Sequence, residues 1–108
     1  MRFFGWLAAL LLLLSPATLF AHGLMLYAYA QGGIVYAEAY NDDERPLIGG
    51  HIQVRDSGKT LLLEGVTDGD GKFNFPIPKI DELGISVQTE DGHRQSFRLL
   101  KNEVKEGR

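Results

Sequence analysis

Two histidines carry the clearest chemical potential in this chain. His22 follows "SPATLFA", where an apolar leader gives way to the alternating stretch "GLMLYAYA". If the leader is cut after Ala21, His22 opens the mature chain, and one residue then bears both an α-amine and an imidazole. In model compounds these groups lose their protons at about 7.7–8 and about 6.5. Together they close a chelate ring on Ni(II) or Cu(II), which favour nitrogen donors in square or tetragonal geometry. His93, in "EDGHRQSF", is the expected second donor, set in a glycine-containing turn before the last strand. Glu90 or Asp91 could add an oxygen ligand or stand behind the imidazole, and Arg94 is a further candidate for that supporting shell. The plainer alternatives are a polar residue that follows a leader by chance and an exposed turn histidine. His51 has the opposite parity to Ile52 and Val54, so it is expected to face solvent and receives no role.

The elements that must position these residues begin after the leader. Residues 1–21 have the form of a secretory signal peptide: Arg2, then the twelve-residue apolar run "FFGWLAALLLLL", then Pro16 and the small residues Ala17 and Ala21. That run is shorter than the roughly 20 residues of a spanning helix, although an uncleaved anchor is an open alternative. Leu19 sits where a small residue is preferred, and cleavage after Ala17 is the competing position. That cut would deprive His22 of its amine partner. Removing residues 1–21 takes away one arginine and no acid, leaving ten Lys and Arg against fourteen Asp and Glu. A net acidic domain argues against nucleic-acid partners, and no direct membrane binding is expected once the leader is gone. The placement is therefore periplasmic or otherwise extracytoplasmic. There is no cysteine, so thiolate metal sites are excluded and folding must rest on apolar packing.

The dominant period is two. "LMLYAYA" and "IVYAEAY" alternate on either side of a glycine-containing turn, a hairpin signal. "HIQVRD", "TLLLEG", "KFNFPI", "GISVQTE" and "QSFRLL" follow, separated by turn-forming stretches. Phe73, Phe75, Ile85, Val87, Phe97 and Leu99 are expected to point inward, and tyrosines are expected half-buried among them. Six or seven short strands at this spacing predict a small antiparallel all-β sandwich over 22–100, with 101–108 as a charged flexible tail.

Other chemistries find little support. "DGDG" at 68–71 would be a calcium loop only with an oxygen donor, a glycine and a glutamate at its fifth, sixth and twelfth positions, where Lys72, Phe73 and Lys79 stand. It reads as a turn. No nucleophile elbow surrounds a serine and no glycine-rich phosphate loop is present. An oxidase built on an N-terminal histidine also needs a broad substrate face that so small a domain lacks, so no enzyme is expected.

The order of these pieces resembles two known patterns. "GGHIQVRDSGKTLLLEGVTDGDGKFNFPIP" is similar to the carboxypeptidase-regulatory-like (transthyretin-like) sandwich module, with Gly50, Ile52, Val54, Thr67, Asp68, Gly71, Phe73 and Phe75 in its motif positions. The start "AHGLMLYAYA" and the late "GHR" of Gly92, His93 and Arg94 resemble the small extracytoplasmic accessory components of ECF-type nickel and cobalt transporters. That resemblance implies nickel, with Co(II) or Cu(II) as alternatives, ligated by His22 and His93 and passed to a membrane subunit. Some of those components continue into a transmembrane helix, a feature without a counterpart in "KNEVKEGR". Two rivals stand beside it: a docking module without metal, using Tyr27, Tyr29, Tyr36 and Tyr40, and a copper carrier with the same N-terminal site.

Overall fold

A computed structural model describes residues 23–108, so the expected leader and His22 lie outside the described residues. Seven strands form: β1 (Met25–Gln31), β2 (Ile34–Tyr40), β3 (His51–Arg55), β4 (Leu61–Val66), β5 (Lys72–Pro76), β6 (Leu83–Gln88) and β7 (Arg94–Leu99). They make two antiparallel sheets, one in the order β1-β2-β5 and the other β4-β3-β6-β7. This is the small all-β sandwich that the alternation implied. Among the described residues no helix is long and apolar enough to cross a membrane.

The core is built from one parity of each strand. Leu26, Ala28, Val35, Ala37, Ala39 and Phe75 come from the three-stranded sheet. Ile52, Val54, Leu83, Ile85, Val87 and Leu99 come from the other. Phe73 and Phe97 are partly buried against this set, as their parity required. Each large side chain buried this way contributes roughly 1.5–3 kcal/mol relative to exposure. Phe73 lies across the bare backbone of Gly65, where a Cβ would come within 2.2 Å of its ring.

Two expectations differ from the structure. Tyr36 and Tyr40 are half-buried as expected, but Tyr27 and Tyr29 are not: they are 53 % and 38 % exposed on the outer face of the three-stranded sheet, and Tyr29 stacks on Tyr36 at 5.2 Å. Both parities of β1 are apolar, so alternation alone does not choose a face. The alanines win the interior because small side chains let this sheet approach the bulky isoleucines and valines opposite. Residues 101–108, expected as a flexible tail, instead fold over the sandwich. Lys101–Glu106 form a short helix, α1, whose Val104 is fully buried. The Glu103 carboxylate accepts the Leu100 N–H at its start (2.9 Å), and Gly33 N donates to Gly107 O at 2.8 Å.

The turns are held by carboxylates. Asp68 Oδ1 accepts the amides of Asp70 and Lys72 at 2.8 and 3.0 Å, so "DGDG" is a turn. Lys79 Nζ lies 2.8 Å from Asp56 Oδ2 and 3.8 Å from Asp81 Oδ2, and the Ser57 hydroxyl donates to Asp81 at 2.8 Å. These contacts hold three carboxyls below their ordinary range: Asp56 chiefly through Lys79, Asp68 through the amides of Lys72 and Asp70, and Asp81 through Ser57. A carboxyl lowered in the folded state stabilises above its unfolded value, about 3.9, and loses that contribution as pH falls through the folded one. Thermal stability is therefore expected to hold down to about pH 5 and to fall below about pH 4. Asp56→Asn should reduce the steepness of that acid loss in thermal melts recorded across this range.

Candidate functional site

His93 belongs to the β6–β7 hairpin turn, and the turn is tightly closed. Thr89 N donates to His93 O at 2.9 Å and Gly92 N donates to Thr89 O at 3.1 Å. Gly92 sits at φ +93°, a left-handed conformation that favours glycine. The Thr89 hydroxyl accepts the His93 amide at 3.0 Å and donates to Asp91. That hydroxyl, with the His93 ring second, holds the Asp91 carboxyl below its usual range.

The imidazole is oriented by the same carboxylate. His93 Nδ1 lies 3.1 Å from Asp91 Oδ2. A carboxylate accepts, so the proton of the neutral ring sits on Nδ1 and the Nε2 lone pair is left for a ligand. A carboxylate on the far nitrogen of a metal-binding histidine is the usual arrangement and raises ligand basicity. With His93 and Asp91 side chains 68 % and 67 % exposed, the ring is accessible to an incoming ion.

The start of the described chain reaches the same place. Gln95 Nε2 donates to Leu24 O at 3.0 Å, fastening the approach to β1 against β7. Gly23 and His93 both line one open cleft of about 440 Å³, together with Asn41, Asp42, Thr89 and Asp91. Gly23, the residue that follows His22 in the sequence, thus shares a cleft with the second expected donor. Among the described residues no three His, Asp or Glu side chains converge.

Of the remaining expected participants, Asp91 touches His93, whereas Glu90 is exposed away from the cleft lining. Arg94 lines a different cleft, on the outer face of the four-stranded sheet. His51 faces outward as its parity required, its Nε2 3.2 Å from Glu64 Oε1. Asn41 and Asp42 were not singled out in the sequence, although the hairpin register contains the signal. Gln31 opposite Ile34 runs back to Met25 opposite Tyr40, which sets Asn41 beside Leu24.

No family model matches this chain, and no solved structure matches it. It is similar to an uncharacterized protein of Haemophilus influenzae, 29 % identical over 99 residues, a match covering 89 % of this chain and 62 % of that protein. The chain thus spans about three fifths of that relative's length.

Proposed function

We propose that this protein is an extracytoplasmic β-sandwich that assists nickel uptake, binding Ni(II) through the amine and imidazole of a mature N-terminal His22 together with His93. The ion would then pass to a membrane subunit of a nickel or cobalt transporter. The observation that carries this reading is the shared cleft of Gly23 and His93, with Asp91 turning Nε2 of His93 outward. Two or three nitrogen donors leave coordination positions open, which suits hand-over rather than storage. The oxygens of Asp42 and Asn41 at the cleft add weak ligands or bind the ion's remaining water.

The test is a nickel titration, by calorimetry at neutral pH, of a chain beginning at His22 and of one with a single extra alanine before it. The first is expected to bind and the second to bind much more weakly. Asp91→Asn should weaken binding about 10–100-fold, and His93→Ala by at least as much. Equal binding by both chains, unaffected by His93→Ala, sinks the shared site. Because Cu(II) binds nitrogen sites more tightly than Ni(II) whatever the biology, the copper alternative is judged by metal accumulation in cells lacking the protein. Binding should weaken with acidity, since amine and imidazole ligands must shed protons to bind.

A second reading, a docking module without metal, is favoured by the exposed row of Met25, Tyr27 and Tyr29. Nickel uptake unaltered by His22→Ala and His93→Ala, and lost on replacing these three residues, would decide for it.

A further inference from the structure

The outer face of the four-stranded sheet carries a second cleft of different chemistry. Strand register sets its side chains in rows. Arg55, Gly84 and Arg98 lie opposite one another across β3, β6 and β7, and Gln53, Ser86 and Ser96 form the next row. Because Gly84 has no side chain, the two arginines flank a gap two strand spacings wide, about 10 Å between their backbones. The result is a trough of about 420 Å³, with Gly84, Ser86 and Ser96 in its floor and Arg55, Arg94 and Arg98 at its margins.

Gly84 is not required by the backbone or by packing. Its φ is not positive, and an added Cβ would meet only Arg55 O, at 3.9 Å. Glycine within a strand weakens it and often marks close approach by a ligand. Here its effect is to keep the trough open between the two guanidiniums.

Charge points the same way. On a chain of net charge −3, four cationic side chains line the trough, Lys59 being the fourth, against the carboxylates of Asp56 and Glu82. Asp56 is already engaged by Lys79 and by the amides of Gly58 and Thr60, both at 2.9 Å. Glu82 lies 3.6 Å from Arg98 Nε and occupies one edge of that guanidinium. Arg55 donates to the Lys59 carbonyl at 3.1 Å and to Gln53 at 3.4 Å, which steadies its fork and leaves further N–H groups unused. Arg94 has no carboxylate partner among the described residues.

Guanidinium forks with two serine hydroxyls offer more donors than the two oxygens of a carboxylate use, and they match a tetrahedral oxyanion. We propose that this trough binds a soluble phosphate-bearing small molecule, with the phosphate over Gly84 between Arg55 and Arg98 and the hydroxyls of Ser86 and Ser96 donating to its oxygens. The site is separate from the His93 turn and needs no metal.

The test is an amide NMR titration of the domain with inorganic phosphate, against sodium chloride at equal ionic strength, and in parallel a sedimentation assay with phosphatidylglycerol vesicles. Saturable shifts at Gly84, Ser86 and Ser96 with phosphate and not with chloride are expected. Arg98→Gln should weaken them at least about tenfold. Gly84→Val should abolish them while keeping the dispersed spectrum of a folded domain, and Arg55→Gln gives the same reading if the valine variant does not fold. Both arginine variants should bind nickel as the parent does. Absence of phosphate shifts, shifts equal to those in chloride, or binding to the vesicles alone would overturn the proposal.

Discussion

Gly71→Ala is expected to destabilise the domain by about 2–5 kcal/mol, from left-handed backbone strain together with overpacking. Gly71 has φ +74°, where a Cβ costs roughly 1–2 kcal/mol. The added methyl would also lie 2.6 Å from Ala39 O, 3.0 Å from Pro46 Cβ and 3.1 Å from Leu47 N. None of these has room to retreat: Ala39 O accepts from Leu47 N at 2.9 Å, and Ala39 N donates to Gly71 O at 2.8 Å. Overpacking of this kind adds about 1–3 kcal/mol, against a total of about 5–15 kcal/mol for a domain. Gly69, two residues earlier in the same turn, has nothing within 4 Å of an added Cβ and no positive φ. Gly69→Ala should therefore stay within roughly 0.5 kcal/mol of the parent. Urea unfolding of the two variants checks this, and equal small effects would refute the packing described around Gly71.

Val104→Asp is expected to release α1. A six-residue helix does not stand alone in water, so α1 is held chiefly by the buried Val104, the packing of Gly107 on Ala30 and the Gly33–Gly107 hydrogen bond. Gly107 packs so closely that a Cβ there would fall 2.4 Å from Ala30 O. An unpaired carboxylate in place of Val104 costs about 3–5 kcal/mol, more than a single helical turn can offset. Amides of 101–107 should lose hydrogen-exchange protection, and the β1–β2 turn at Gly33, which donates to Gly107, should loosen with them. Lys105→Asp, on the exposed side, serves as the control. Unchanged protection in Val104→Asp would mean that α1 is held by something else.

The strands were legible because their residues repeat with a period of two and their turns carry Gly, Asp and Asn at fixed places. Ile52, Val54, Ile85 and Val87 declared the interior of the four-stranded sheet directly, since their neighbours are polar or small. β1 and β2 were ambiguous: Leu26 and Ala28 compete with Tyr27 and Tyr29, and the choice depends on the facing sheet. The helix at the end was hidden because Val104 is a single apolar residue among charges, and one turn has no measurable period. Its burial depends on the assembled core, which no local pattern announces. At the candidate site, the turn that holds His93 and its partner Asp91 could be named from "EDGHR". Asn41 and Asp42 come from a distant loop and are brought near only by the β1–β2 register. The arginine trough was likewise silent in the sequence, because Arg55 and Arg98 meet only through their separate pairings with Gly84.

Strand order also governs how the chain reaches this state. The β1–β2, β3–β4 and β6–β7 pairs join consecutive strands and close over short loops, whereas β2–β5 and β3–β6 join segments that are distant in sequence. The chain leaves the first sheet after β2, lays down β3 and β4 in the second, and only then returns with β5. Long loops carry an entropic cost that is met before their contacts reward it, which places such topologies in the millisecond-to-second range of folding. Until β5 arrives, the edge of β2 is unpaired, and with no cysteine in the chain no disulfide holds the early hairpins. That interval is when the protein is most open to wrong strand pairing, and the return of β5 to β2 is the step that closes it.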